Sequence, residues 1–354
     1  MTRRRYAVLA PDHFATDAKT AHGVIAYGND EIVAVIDPSV AGRTVREVLP
    51  YLDNDAPIVA DVAQALQYGP TSLLIGTAPR GGALPDDWRG AILAAIRAKL
   101  EIVSGLHQQL GGDPEFSDAV SLAGSAIWDV REPPEVPIFS GEAYDIAAPV
   151  VLTIGNDCAV GKMTAALEIV RAARKAGTSA TFVPTGQTGI MIAGWGISVD
   201  RVIADFAPGA AEQLVLRAAF DAAELIVVEG QGAINHPAYA PVTLALMAGC
   251  APDALILVCD PVRTTIEEYD TPVLSYDRSI ALHEALLATI KPAPVIGIVL
   301  NTRRLTDERA RREVARAREE TGLPADDIVR YGASAFYDQI RRKIVKRQPA
   351  IASR

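Results

Sequence analysis

Lys162 follows Gly161 in the stretch GNDCAVGKMT, residues 155–164, directly after the apolar run PVVLTI. A glycine-rich turn between a strand and a helix lets backbone N–H groups converge on an anion, and the helix N-terminus adds its positive dipole end. A lysine at that point can reach over bound phosphates. A Gly-Lys pair could merely open a helix. Here strand, Gly155, Gly161, Lys162 and helix occur together, which favours a phosphate loop built from Gly155, Asn156, Asp157, Cys158, Ala159, Val160, Gly161, Lys162, Met163 and Thr164. Two details depart from the usual pattern. Five residues separate the glycines where the common loop has four. Met163 stands where a Ser or Thr normally holds magnesium, and Thr164, one residue on, points about 100° away around the helix. Phosphate binding is therefore expected, and metal-assisted γ-phosphoryl chemistry is not.

Other polar residues gather just beyond apolar runs. In LIVVEGQGAINHPAY, Glu229 ends a buried strand, where phosphate-loop proteins keep an acid beside the phosphates. Gly230 and Gly232 would let backbone approach a ligand, and His236 follows in the same loop. A strand cap with a solvated histidine is the plainer alternative. FVPTGQTGIMIAGWG places Thr185, Gly186, Gln187 and Thr188 beyond another strand, in what reads as a glycine-shaped loop; Ile190, Met191, Ile192 and Trp195 argue against its full exposure. CDPVRTT sets Arg263 where it could pair with a carboxylate or phosphate. IVLNTRR sets Asn301 where phosphate-loop enzymes often read an adenine. His107 in SGLHQQLGG has no partner His or Cys and is poor evidence for metal; no metal site is expected.

The elements needed to position these residues form two alternations. YAVLA, IVAVID, PIVA and SLLIGT are short apolar strands with helical patterns such as RTVREVLPYL and DVAQALQY between them. EIVSGL and the end of DAVSLAGSAIWDVR add two more strands. Short apolar strands alternating with helices imply parallel strands covered on both faces. REPPEVPIFSGEAYDIAAP, with four prolines, reads as an ordered linker, placing the boundary near residues 133–148. The second alternation has the strand candidates PVVLTIG, ATFVPT, LIVVEG, ALILVCD, VIGIVLN and DIVRY. Gly177 and Gly322 fall where helix stops are expected. The expectation is α/β throughout: a Rossmann-like domain over 1–140, then a doubly wound phosphate-loop domain over 148–354 with ligands at the carboxyl ends of its strands. The first strand is followed by APDHFATDAKTAHG rather than G-x-G-x-x-G, so dinucleotide binding in the first domain is not expected.

Composition narrows the class. A net charge of -9 argues against a nucleic-acid or anionic-membrane partner. No apolar run approaches membrane-spanning length. MTRRRYAVLA reads as a first strand and not as a secretion signal, since Asp12 and His13 interrupt it. Three unpaired cysteines, Cys158, Cys250 and Cys259, suit a reduced, cytoplasmic setting. A homo-oligomer acting on a small molecule is expected.

IVSGLHQQLGGDPE, IWDVREPP, GNDCAVGKMTAALE, TGQTGIMIAGWG, VEGQGAINHPAY and NTRR together resemble a bacterial family long labelled as unknown in function. That family, called DgcN-like, pairs a Rossmann-like domain with a phosphate-loop domain, and its assigned members are D-glutamate N-acetyltransferases of D-glutamate catabolism. The loop spacing is also similar to that of dethiobiotin synthetase. The first resemblance implies acetyl-CoA as co-substrate on the loop and Asn301, without metal. It implies an amino-acid substrate whose carboxylates need positive or N–H-rich partners: Arg131, Arg263 and residues 185–188. An amine attacking a thioester needs a base. Glu229 comes first, as partial desolvation raises a carboxyl, then His236, then Asp157, whose loop N–H groups would make it weak. The competing readings are a Mg-ATP-dependent ligase or carboxylase, and a nucleotide-binding regulator without turnover.

Overall fold

The computed structural model describes residues 3–77 and 82–346. The chain divides into two compact units, 1–132 with 187–198, and 133–186 with 199–354. Both are α/β and each carries a six-stranded, all-parallel sheet. The last residues of the expected second domain, 347–354, lie outside the described residues.

The first unit contains β1 (Arg5–Leu9), β2 (Glu31–Ile36), β3 (Ile58–Val59), β4 (Ser72–Ile75), β5 (Glu101–Ser104) and β6 (Ile127–Asp129), in the Rossmann-like order β3-β2-β1-β4-β5-β6. Leu9, Ile36, Leu73, Ile75 and Ile102 on the strands pack with Trp88, Ile92, Ile96 and Phe116 on the helices. Strands buried on both faces read as unbroken apolar runs, which is why they were visible in the sequence.

The second unit contains β7 (Val150–Gly155), β8 (Ala180–Val183), β9 (Leu225–Val228), β10 (Ala254–Cys259), β11 (Val295–Leu300) and β12 (Ala325–Asp326), ordered β12-β11-β10-β7-β9-β8. The strand order reverses at β7, so the loop after β7 sits at the topological switch point, where such sheets bind ligands. The helix Lys162–Lys175 buries Ala165, Ala166, Ile169, Val170 and Ala173 at helical spacing. Its last turn carries Arg174 and Lys175, which suit the negative end of the dipole. The helix Asp307–Thr321 starts under Thr306, whose Oγ1 accepts from Arg309 N, and stops at Gly322 in the left-handed region.

Three sequence expectations change. DIVRY is not the last strand: residues 327–331 form a turn, and β12 lies just before it. Asp327 makes the turn by accepting from Val329 N and Arg330 N at 3.2 and 2.9 Å. TGQTGIMIAGWG is not simply a loop, because Gln187–Ala193 is helical and buries Ile190, Met191 and Ile192. That helix belongs with the first unit, although β8 before it belongs to the second. Residues 133–140, expected in the first domain, run with the second unit. There Ser140 N and Gly141 N donate to the fully buried carboxylate of Glu212 at 2.6 and 2.9 Å. Among the described residues, no helix is long and apolar enough to cross a membrane.

Candidate functional site

The loop after β7 has the backbone of a phosphate loop. Gly161 adopts φ 109°, a left-handed conformation that frees the chain to enter the helix at Lys162. Lys162 is buried and its Nζ donates to Asp157 O at 2.9 Å, folding the side chain back over the loop. Burial lowers the Lys162 ammonium below the usual lysine range. Met163 and Thr164 occupy the first turn of the helix, and neither hydroxyl nor carboxylate stands at position 163.

Neighbouring loops brace the phosphate loop. Asn301 Nδ2, expected to read an adenine, donates to Val160 O at 3.1 Å. Asn235 Nδ2 donates to Asn156 O at 3.3 Å. Arg263, expected to meet a substrate carboxylate, holds the loop through one guanidinium nitrogen. Its Nη1 donates to Asp157 Oδ2 at 2.6 Å and to Cys158 O at 2.9 Å, which uses both hydrogens of that nitrogen. Asp157, fully buried, also accepts from Cys158 N at 2.6 Å and Glu267 N at 2.8 Å. Asp157, third in line as base, is thus held on both carboxylate oxygens by the loop and by Arg263. Burial pushes the Cys158 thiol up to about 11, which makes it a poor nucleophile.

Glu229 follows β9 and is 4% exposed. Its Oε2 accepts from Thr185 N at 3.0 Å and Gly186 N at 3.3 Å. Thr185 Oγ1 donates to Glu229 O at 2.7 Å. Thr185 and Gly186, expected to hold substrate, thus also position Glu229. Burial raises the Glu229 carboxyl to about 7, against the lowering effects of those N–H groups, of Lys162 and of Gln231. A carboxyl titrating near neutrality can take and return a proton at working pH. Gly230 makes this packing possible: a Cβ there would lie 1.7 Å from Thr153 O.

His236 is buried, contrary to the plain expectation of a solvated loop histidine. Its ring lies 4.6 Å from that of Tyr239 and 5.3 Å from that of Tyr269. Ala238 N donates to Nδ1 at 3.2 Å, which leaves the ring proton on Nε2 in the neutral form. Side-chain donor atoms of His236, Asp157 and Cys158 all lie within 4.8 Å of one another. Asn156 Oδ1 is buried in the same loop with no hydrogen-bond partner among the described residues.

The remaining expected residues belong to the first unit. Arg131 Nε donates to Gly105 O at 2.9 Å and to Gln187 Oε1. Thr188 Oγ1 and Thr20 Oγ1 share a hydrogen bond of 3.2 Å. Sequence reasoning missed Tyr239, Tyr269, Asn235, Gln231 and Glu267. Gln231 and Asn235 lie within the motif already singled out, between Gly230 and His236, and their polar side chains were the available signal. Glu267 donates its backbone N–H to Asp157, a contact no residue type announces, and its carboxylate lies 3.7 Å from Arg263 Nη1.

Two family models match the chain, one on each side of residues 133–137. Residues 38–133 match the family model described as Domain of unknown function (DUF1611_N) Rossmann-like domain. Residues 137–337 match Domain of unknown function (DUF1611_C) P-loop domain. A crystal structure of a DUF1611 family protein from Anabaena variabilis aligns with TM-score 0.91 and 37% identity, covering 96% of this chain and all of that one. Two curated relatives carry the name D-glutamate N-acetyltransferase. The one from Tritonibacter scottomollicae is 35% identical over 335 residues, 94% of this chain and 96% of the relative. The one from Pseudoalteromonas sp. is 34% identical over 280 residues, 78% of this chain and 82% of the relative. Matched across both sheets and over nearly its whole length, the chain belongs to the DUF1611 family.

Proposed function

We propose that the protein is an N-acetyltransferase that moves the acetyl group of acetyl-CoA to the amino group of an amino acid, D-glutamate being the acceptor that the relatives' names suggest. One observation carries the reading: a braced phosphate loop that keeps Lys162 but puts Met163 at the magnesium position lies beside a buried carboxyl titrating near neutrality. Coenzyme A presents a pyrophosphate and a 3′-phosphate with no γ-phosphate to transfer, so the missing metal ligand costs it little. The loop N–H groups and Lys162 fit a phosphate anion.

In this reading the neutral amine attacks the thioester carbonyl. The N–C bond forms, Glu229 takes the amine proton, and the C–S bond breaks as the thiolate leaves. Returning that proton to the thiolate resets Glu229. His236 is second in line as base. Its buried Nε2–H makes it a donor as it stands, which fits a hydrogen bond to developing negative charge better than proton abstraction. An ATP-dependent ligase is the second reading, favoured by the five-residue loop spacing and opposed by Met163.

Lys162→Ala tests the placement of the co-substrate. Calorimetric titration with acetyl-CoA should show affinity reduced by about 1.5–3 kcal/mol, the scale of hydrogen bonds to a charged group. Unchanged affinity in a folded variant would remove the loop from the site.

A further inference from the structure

The side chains of Asp157, Cys158 and His236 gather in one cluster, and its composition points to a ligand other than phosphate. The three side chains offer a carboxylate oxygen, a sulfur and an imidazole nitrogen, all within 4.8 Å of one another. In a tetrahedral zinc site the donor atoms stand about 3.5 Å apart, as bonds of roughly 2.0–2.3 Å require. The cluster therefore needs to contract by up to about 1.3 Å, a side-chain adjustment and not a refolding.

We propose that Asp157, Cys158 and His236 form a three-ligand site for a thiophilic divalent cation of the zinc class, with the fourth position open. The donor set decides the class. Magnesium and calcium prefer all-oxygen shells, whereas sulfur with imidazole selects zinc and its neighbours. The loop that has no magnesium hydroxyl at Met163 thus offers a softer set, with Cys158 five residues earlier and His236 from the neighbouring loop. The elements are held in place already. Asn235 Nδ2 on Asn156 O fastens the residue before Asp157 to the residue before His236. Asp157 Oδ1 accepts only from Cys158 N at 2.6 Å in the bonds that hold this carboxylate, and so keeps a lone pair for a metal.

Charge closes the account. Lys162 and Arg263 beside the loop oppose a divalent ion, and the Asp157 carboxylate with a Cys158 thiolate supplies two compensating negative charges. Binding forms a metal–sulfur bond and releases the thiol proton to solvent. The ring of His236 gives up the long 3.2 Å bond from Ala238 N in either mode, since Nδ1 then either ligates the ion or carries the ring proton while Nε2 ligates. The bound ion would cross-link the phosphate loop to the 230–239 loop.

Cobalt reports such a site directly, and the cysteines make the readout clean. Cys250 and Cys259 are fully buried, so a cobalt–thiolate band must come from Cys158. Untagged full-length protein is titrated with Co²⁺ under reducing conditions, then with Zn²⁺. The expected result is a thiolate charge-transfer band and tetrahedral visible bands that saturate at one equivalent and vanish as zinc displaces cobalt. Cys158→Ser, with its fold verified by circular dichroism, should lose the charge-transfer band, and His236→Ala, which removes a ligand outright, should weaken binding by at least the roughly ten- to hundredfold that loss of an outer-shell partner costs. A folded wild-type protein with no band at excess cobalt would overturn the proposal, as would a band that persists in Cys158→Ser. Because the readout is cobalt and not acetyl transfer, its failure leaves the acetyltransferase reading standing, and the reverse also holds.

Discussion

Glu229→Gln should lower acetyl transfer by about 10²–10⁴-fold, the usual loss when a general base is removed, and should at the same time stabilise the protein. The two effects share one cause. Burial raises the Glu229 carboxyl from 4.5 to about 7, so the folded protein binds this proton more tightly than the unfolded chain does. For an acid shifted upward, stability is fully present below the unfolded value and is lost as pH rises through the folded value. The charge therefore weighs on the fold above pH 7, by about 3 kcal/mol at one pKa unit per 1.36 kcal/mol. Glutamine keeps an oxygen to accept from Thr185 N and Gly186 N and never ionises. Thermal denaturation should show the variant more stable than wild type in mildly alkaline buffer, with the gap closing in acid. Wild-type kcat/KM should rise with pH to a plateau, with an apparent pKa near 7. Acetyl-CoA affinity should stay close to wild type. If Glu229→Gln keeps near-normal turnover while His236→Ala does not, the base is the histidine. If both remain active, the amine enters already neutral and the site works by positioning.

Arg263→Ala should destabilise the protein by about 3–5 kcal/mol, because it leaves a buried carboxylate without its cation. Asp157 is fully buried, and the guanidinium lies 2.6 Å from Oδ2. Burial works against the charge on Arg263, and Asp157 more than offsets it, holding the guanidinium above its ordinary value. The bonds from Cys158 N and Glu267 N remain after the substitution, but neither carries a full charge. Since Arg263 also holds Cys158 O, the loop between the glycines should loosen and acetyl-CoA affinity should fall. Adding Asp157→Asn should recover part of the lost stability, because the unpaired charge is then gone. Urea denaturation of the single and double variants measures this. A loss under about 1 kcal/mol for Arg263→Ala, the scale of an exposed ion pair, would mean the pair does not brace the loop.

The frame of the molecule was legible because its physics is local. Apolar runs such as VVLTI and LILVC can only be strands covered on both faces, and Gly161 with Lys162 after such a run announces the loop. Glu229 was legible for the same reason, since a carboxylate ending a buried strand must be desolvated. What the sequence hid depends on partners far along the chain. Arg263 looked free to meet a substrate, and its partner Asp157 lies 106 residues earlier. The glycines of TGQTGIMIAGWG suggested a loop, yet Ile190, Met191 and Ile192 share a buried helical face. Nothing local says which sheet such a helix will join. DIVRY looked like a strand because its apolar residues were read without Asp327, whose side chain competes with the ladder for nearby N–H groups.

The most direct test of the central claim is acetyl transfer with no nucleotide and no magnesium present. Purified protein is incubated with acetyl-CoA and D-glutamate in EDTA, and free thiol and N-acetylated product are measured together. The proposed function predicts thiol and N-acetyl-D-glutamate in equal amounts, at a rate that EDTA does not lower. No product under these conditions, with turnover and phosphate release appearing only when ATP and magnesium are supplied, would contradict it and assign the phosphate loop to ATP chemistry.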